Sequence, residues 1–93
     1  MRLGEYIGQK RRALGITARQ LAQLAKVSDS YVSDLENDKR SASVEQMPAL
    51  AAVLDLDADY LYFLKGVFPP DIRALNLSEV QVRSLFKSIR KER

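Results

Sequence analysis

The stretch Ile16–Asn37, reading ITARQLAQLAKVSDSYVSDLEN, constrains the fold of this chain more than any other. It holds two short helix patterns separated by about three residues, and both begin alike. Thr17 lies between Ile16 and Leu21, and Ser28 lies between Val27 and Val32. At each place a hydroxyl side chain can accept from the orphan amides of a first helical turn, while the apolar residues on either side clamp the chain's approach. Thr17 with Gln20 also completes a capping box. Leu21, Ala22, Leu24 and Ala25 make one apolar stripe, and Val32 and Leu35 make the next. Two short helices this close in sequence must cross steeply, and the small side chains of Ala22 and Ala25 allow the approach. That is a helix-turn-helix pattern.

The remaining segments also read as helix, so the expected class is all-α. Leu3, Tyr6 and Ile7 stand at helical spacing in a first helix over Leu3–Ala13, followed by Gly15, which can end it in a left-handed conformation. A fourth helix runs to Leu54 with Met47, Leu50, Ala51 and Leu54 as its buried stripe. Its start has two solutions: a capping box from Ser43 with Gln46, or, because of Pro48, a start near Met47. A fifth helix begins at Asp57 and ends at Gly66. Phe68-Pro69-Pro70 is a stiff break, a short turn follows over Asp71–Leu75, and a last helix is capped at Ser78 with Gln81. This divides the chain into residues 1–66 and a C-terminal segment, 67–93.

Composition excludes more than it suggests. In 93 residues there is no cysteine and no histidine, which rules out disulfides and thiolate metal sites and removes the commonest general base. No glycine-rich phosphate loop is present, so neither an enzyme nor a cofactor site is indicated, and no metal or small-molecule ligand is implied. The longest apolar run, Ala49–Leu54, is too short to cross a membrane, and a cytoplasmic protein is expected. The formal net charge of +3 hides an asymmetry. Residues 1–26 carry +5, residues 27–65 carry −5, and residues 66–93 carry +3.

From Leu3 to Leu61 the sequence resembles the lambda-repressor-like, or XRE-type, helix-turn-helix family. The residues that carry the resemblance are Arg11, Gly15-Ile16-Thr17, Leu21-Ala22, Val27-Ser28, Ser30-Tyr31-Val32-Ser33, Leu35-Glu36-Asn37, Ser43, Leu54 and Tyr60-Leu61. The resemblance implies a compact five-helix domain, here with an additional C-terminal amphipathic helix. It also implies a homodimer that binds double-stranded DNA as a transcriptional regulator, most simply a repressor on a palindromic operator. The helix starting at Ser28 is expected to enter the major groove. Asp29, Ser30, Ser33 and Asp34 are then expected at the base-facing positions with Tyr31 near them, and the capping Ser28 is counted among the DNA-binding residues. Thr17, Arg19, Gln20, Asn37, Lys39 and Arg40 are expected along the phosphates. Glu36 is expected to pair with Arg11.

The sequence departs from the family at Ala18, Asp34 and Asp38. Four carboxylates (Asp29, Asp34, Glu36 and Asp38) fall in or just past the helix that should meet a polyanion. A carboxylate can accept from the cytosine amino group but is repelled by phosphate. The alternative is therefore a protein-binding adaptor, antitoxin-like or antirepressor-like, whose acidic helix docks a protein partner. Of these acids, Asp34 alone has no evident structural duty. For the dimer, the aromatic residues Tyr60, Tyr62, Phe63 and Phe68 and the last helix's Leu85, Phe86 and Ile89 are the candidate contacts.

Overall fold

Each expected helix start is occupied, and the chain folds as helices throughout the computed structural model, which describes residues 1–92. They are α1 (Leu3–Ala13), α2 (Ala18–Ala25), α3 (Asp29–Glu36), α4 (Met47–Leu54), α5 (Ala58–Lys65), α6 (Pro70–Arg73) and α7 (Glu79–Lys91). Arg93, the last residue of the expected C-terminal segment, lies outside the described residues. Among the described residues no helix is long and apolar enough to cross a membrane.

The caps explain where the helices begin. Thr17 accepts the Gln20 amide at 3.0 Å while the Gln20 side chain accepts the Thr17 amide at 2.8 Å, the reciprocal box the sequence predicts. Ser78 and Gln81 repeat it on α7. Ser28 accepts the Tyr31 amide at 3.1 Å, and Asp57 accepts that of Asp59 at 2.9 Å. Ser43 behaves differently. Its hydroxyl donates to Gln46 Oε1 at 3.1 Å instead of capping a backbone amide, and a 3₁₀ turn over Val44–Gln46 leads into α4. The start near Met47 is the one adopted, with Pro48 in the first turn, where a missing amide costs nothing. Pro70 likewise opens α6, a single helical turn where the sequence suggested only a turn.

The core is built from one or two turns of each helix from α1 to α5. Ile7 of α1, Leu21, Ala22 and Ala25 of α2, Val32 and Leu35 of α3, Met47, Leu50, Ala51 and Leu54 of α4, and Leu61 of α5 are all buried. Burying one large aliphatic side chain of this kind stabilises by about 1.5–3 kcal/mol, so α2 and α3 are held chiefly by packing. Leu24 departs from expectation: it is 61% exposed, because Leu21, Ala22 and Ala25 already fill the inward face of α2.

Tyr31 and Tyr62 are core residues with polar tips. Tyr31 is 7% exposed, and its hydroxyl accepts the Ser43 amide at 3.2 Å. Tyr62 is 5% exposed, and its hydroxyl donates to the Val44 carbonyl at 3.4 Å. α7, in contrast, contributes no buried residue.

Candidate nucleic-acid interface

The outward face of α3 is bordered by the start of α2 on one side and the Asn37–Ala42 loop on the other. Ser30 and Ser33 on α3, Asn37 at its end, and Lys39 and Arg40 in the loop are exposed. Thr17, Arg19 and Gln20 are exposed on the flank of α2. Side-chain contacts show that these three pieces form one surface. Arg19 Nε lies 3.7 Å from Asp29 Oδ2, linking α2 to the first turn of α3. Arg40 Nη2 lies 3.9 Å from Asp34 Oδ2, linking the loop to the middle of α3.

Several expected contact residues carry structural work as well. The oxygens of Thr17, Gln20 and Ser28 are engaged in caps. Asn37 Nδ2 donates to the Ser33 carbonyl at 2.8 Å, closing the last turn of α3. Tyr31, expected beside the base-facing positions, turns into the core instead. It meets this surface through the Ser43 amide bonded to its hydroxyl and the Arg40 guanidinium over its ring, 5.5 Å from the centroid.

The acidity of α3 is matched residue for residue. The four ion pairs among the described residues join arginines to the four carboxylates of α3 and its following turn: Asp29 to Arg19, Asp34 to Arg40, Glu36 to Arg11 and Asp38 to Arg2. Asp34 therefore has a partner that the sequence did not disclose. Asp38 turns the chain with φ +58°, a region Asp tolerates better than most side chains. The Arg11–Glu36 pair is the enclosed one, with the side chains only 15% and 12% exposed. Arg11 Nε donates to Glu36 Oε2 at 2.7 Å, Nη2 donates to Oε1 at 3.0 Å, and Nη1 donates to the Ile16 carbonyl at 2.9 Å. The hydrogen bonds to Glu36 push the Arg11 guanidinium above its ordinary value. This pair fixes the end of α3 to α1 and to the turn before α2.

Of the residues expected at a dimer contact, Tyr62 is buried and unavailable. Tyr60, Phe63, Phe68, Leu85, Phe86 and Ile89 are 43–69% exposed. Tyr60 packs edge-on against Tyr6 at 5.1 Å and stacks with Phe63 at 5.9 Å. Phe63, Val67, Phe68, Pro69 and Phe86 line a groove of about 470 Å³ that has Asp59 at its margin.

A five-helix core with two short capped helices in succession, and a serine-rich helix face flanked by arginine and lysine, defines the architecture of a helix-turn-helix protein. A family model described as "Helix-turn-helix" matches residues 7–61, and the chain belongs to that family, in its lambda-repressor-like branch. HTH-type transcriptional regulators from two strains of Mycobacterium tuberculosis are 31% identical to it over 67 residues. That match covers 72% of this chain, which spans about half the length of these relatives (48%). The master regulator for biofilm formation SinR, solved in complex with DNA, is 32% identical with a TM-score of 0.60 and covers 63% of this chain and 95% of that one. The P22 c2 repressor, solved with a synthetic operator, is 30% identical with a TM-score of 0.63, over 66% of this chain and 92% of that one.

Proposed function

We propose that this protein is a sequence-specific, double-stranded DNA-binding transcriptional regulator, a repressor that occupies a palindromic operator as a dimer. α3 lies in the major groove in this arrangement, with Ser30, Ser33 and Asp34 toward the bases and Arg19, Lys39 and Arg40 toward the phosphates. The carrying observation is the pairing of all four α3-region carboxylates with arginines, which offsets the repulsion an acidic helix would otherwise meet. The same observation takes the main support from the alternative of an acidic protein-docking adaptor. Likeness to two proteins solved on DNA, one of them a repressor, supports the docking, and a DNA target supports action in the cytoplasm.

The exposed apolar groove between α5 and α7 supports dimerisation through the C-terminal segment. A two-fold dimer of such domains expects half-sites about one helical turn apart. The test is to incubate the purified protein with randomised duplex DNA and sequence what is retained. A palindromic consensus is the expected result. No enrichment, together with no binding at low salt, where phosphate contacts count most, overturns the proposal.

A further inference from the structure

Arg40 sits among groups that no sequence pattern would join. Its guanidinium lies over the Tyr31 ring, 5.5 Å from the centroid, and 3.9 Å from the Asp34 carboxylate. Tyr31 and Asp34 stand three apart on α3 and so are neighbours on its surface. The ring beneath Arg40 is fixed by burial and by the bond from the Ser43 amide. The loop backbone is tied to the same helix, since the Lys39 amide donates to the Asp34 carbonyl at 2.8 Å. Arg40 is thus carried on a turn built from the end of α3 and aimed back at α3. A half-exposed pair at this separation adds little to stability, so its consequence lies in where Asp34's charge is held.

We propose that Arg40 is a specificity-positioning residue: it holds the Asp34 carboxylate on the outward face of α3, so that preference for the base pair under Asp34 depends on Arg40. This rests on the proposal that α3 enters the major groove. A carboxylate there can accept from a cytosine amino group. Unpaired, it is pushed from the groove by the phosphates and is free to leave that rotamer. Arg40, clamped on an aromatic face, opposes both effects. Its role then differs from that of Lys39, which joins no carboxylate among the described residues and acts on phosphate alone.

The test compares the sequences enriched from randomised duplex DNA by the full chain and by Asp34→Ala, Arg40→Ala, Lys39→Ala and the Asp34→Ala/Arg40→Ala double variant. The wild type is expected to favour one base at one position of each half-site on the order of tenfold, and Asp34→Ala to erase that preference. Arg40→Ala is expected to erase it too, although Asp34 remains, and to change it no further in the Asp34→Ala background. Lys39→Ala is expected to keep the preference while weakening binding to every sequence. Thermal melts separate these effects from unfolding, and Arg40→Gln, which keeps the bulk over Tyr31, supplies the comparison if Arg40→Ala does not fold. An Arg40 variant that retains the Asp34-dependent preference overturns the inference, as does an Asp34→Ala protein with unchanged preferences. A wild type that enriches no sequence overturns the groove docking itself.

Discussion

Arg11 reaches across 25 positions to hold Glu36 with two short hydrogen bonds, and with its remaining nitrogen it holds the Ile16 carbonyl. One guanidinium therefore joins α1, the turn before α2 and the last turn of α3. Removing either partner strands a mostly enclosed charge. Arg11→Ala or Glu36→Ala is expected to lower unfolding free energy by about 3 kcal/mol, measured by urea titration. Because Glu36 raises the Arg11 value in the folded state, Arg11's stabilisation is complete across the neutral range and is lost only in strong alkali. The cost of Arg11→Ala should accordingly be the same at pH 6 and pH 9.

Gly4 and Gly8 let α1 approach α3, but with different tolerances. A Cβ on Gly4 would overlap the Leu35 carbonyl oxygen, which is backbone and cannot yield without moving a helix. A Cβ on Gly8 would lie 3.2 Å from the side-chain ends of Arg12, which can shift, and of Glu36, which is tied to Arg11 but needs to give by only a few tenths of an ångström. Gly4→Ala should cost about 2–3 kcal/mol, and Gly8→Ala clearly less. Equal melting temperatures for the two variants would contradict the packing of α1 on α3.

Tyr31 fastens the loop that bears Lys39 and Arg40. Tyr31→Phe keeps the ring in the core and removes only the acceptor for the Ser43 amide, which should cost about 1 kcal/mol. The loosened loop should reduce DNA affinity at temperatures where the variant is fully folded, checked by fluorescence anisotropy on the enriched operator. Full affinity in a folded Tyr31→Phe protein would show that the loop holds its place without the hydroxyl.

Phe86 of α7 faces the same groove as Phe63 and Phe68 of the α5 end. Phe86→Glu should weaken self-association at least tenfold in sedimentation equilibrium, because a carboxylate buried in an apolar interface has no partner there. A dimer of unchanged strength would move the contact elsewhere on the molecule.

Local features were the legible ones. The caps of Thr17, Ser28, Asp57 and Ser78 are formed within three residues of the cap, so a string of letters contains both partners. Ser43 failed as a cap for an equally local reason: its hydroxyl and the Gln46 amide oxygen satisfy each other, and Pro48 suits the later start. The two buried tyrosines were not legible. An aromatic ring with a polar tip fits surface or core, and the decision rests with groups 12 residues away for Tyr31 and 18 for Tyr62. The Arg19–Asp29 and Arg40–Asp34 pairs escaped for a similar reason, since their distances depend on how α2 crosses α3 and how the next loop folds back. Composition registered an acidic middle, whereas the geometry supplies each of the four acids in and just past α3 with an arginine.

α7 is 13 residues long, well capped, and buries none of them. Isolated helices shorter than roughly 12–15 residues are only marginal in water, so this one draws little support from the rest of the chain. Its apolar side gains that support only when something covers it. Helix formation and association then become one equilibrium, and the far-ultraviolet dichroism per residue should rise with protein concentration. The C-terminal segment would in that case report on crowding: dilute protein carries a frayed tail, and concentrated protein a formed helix.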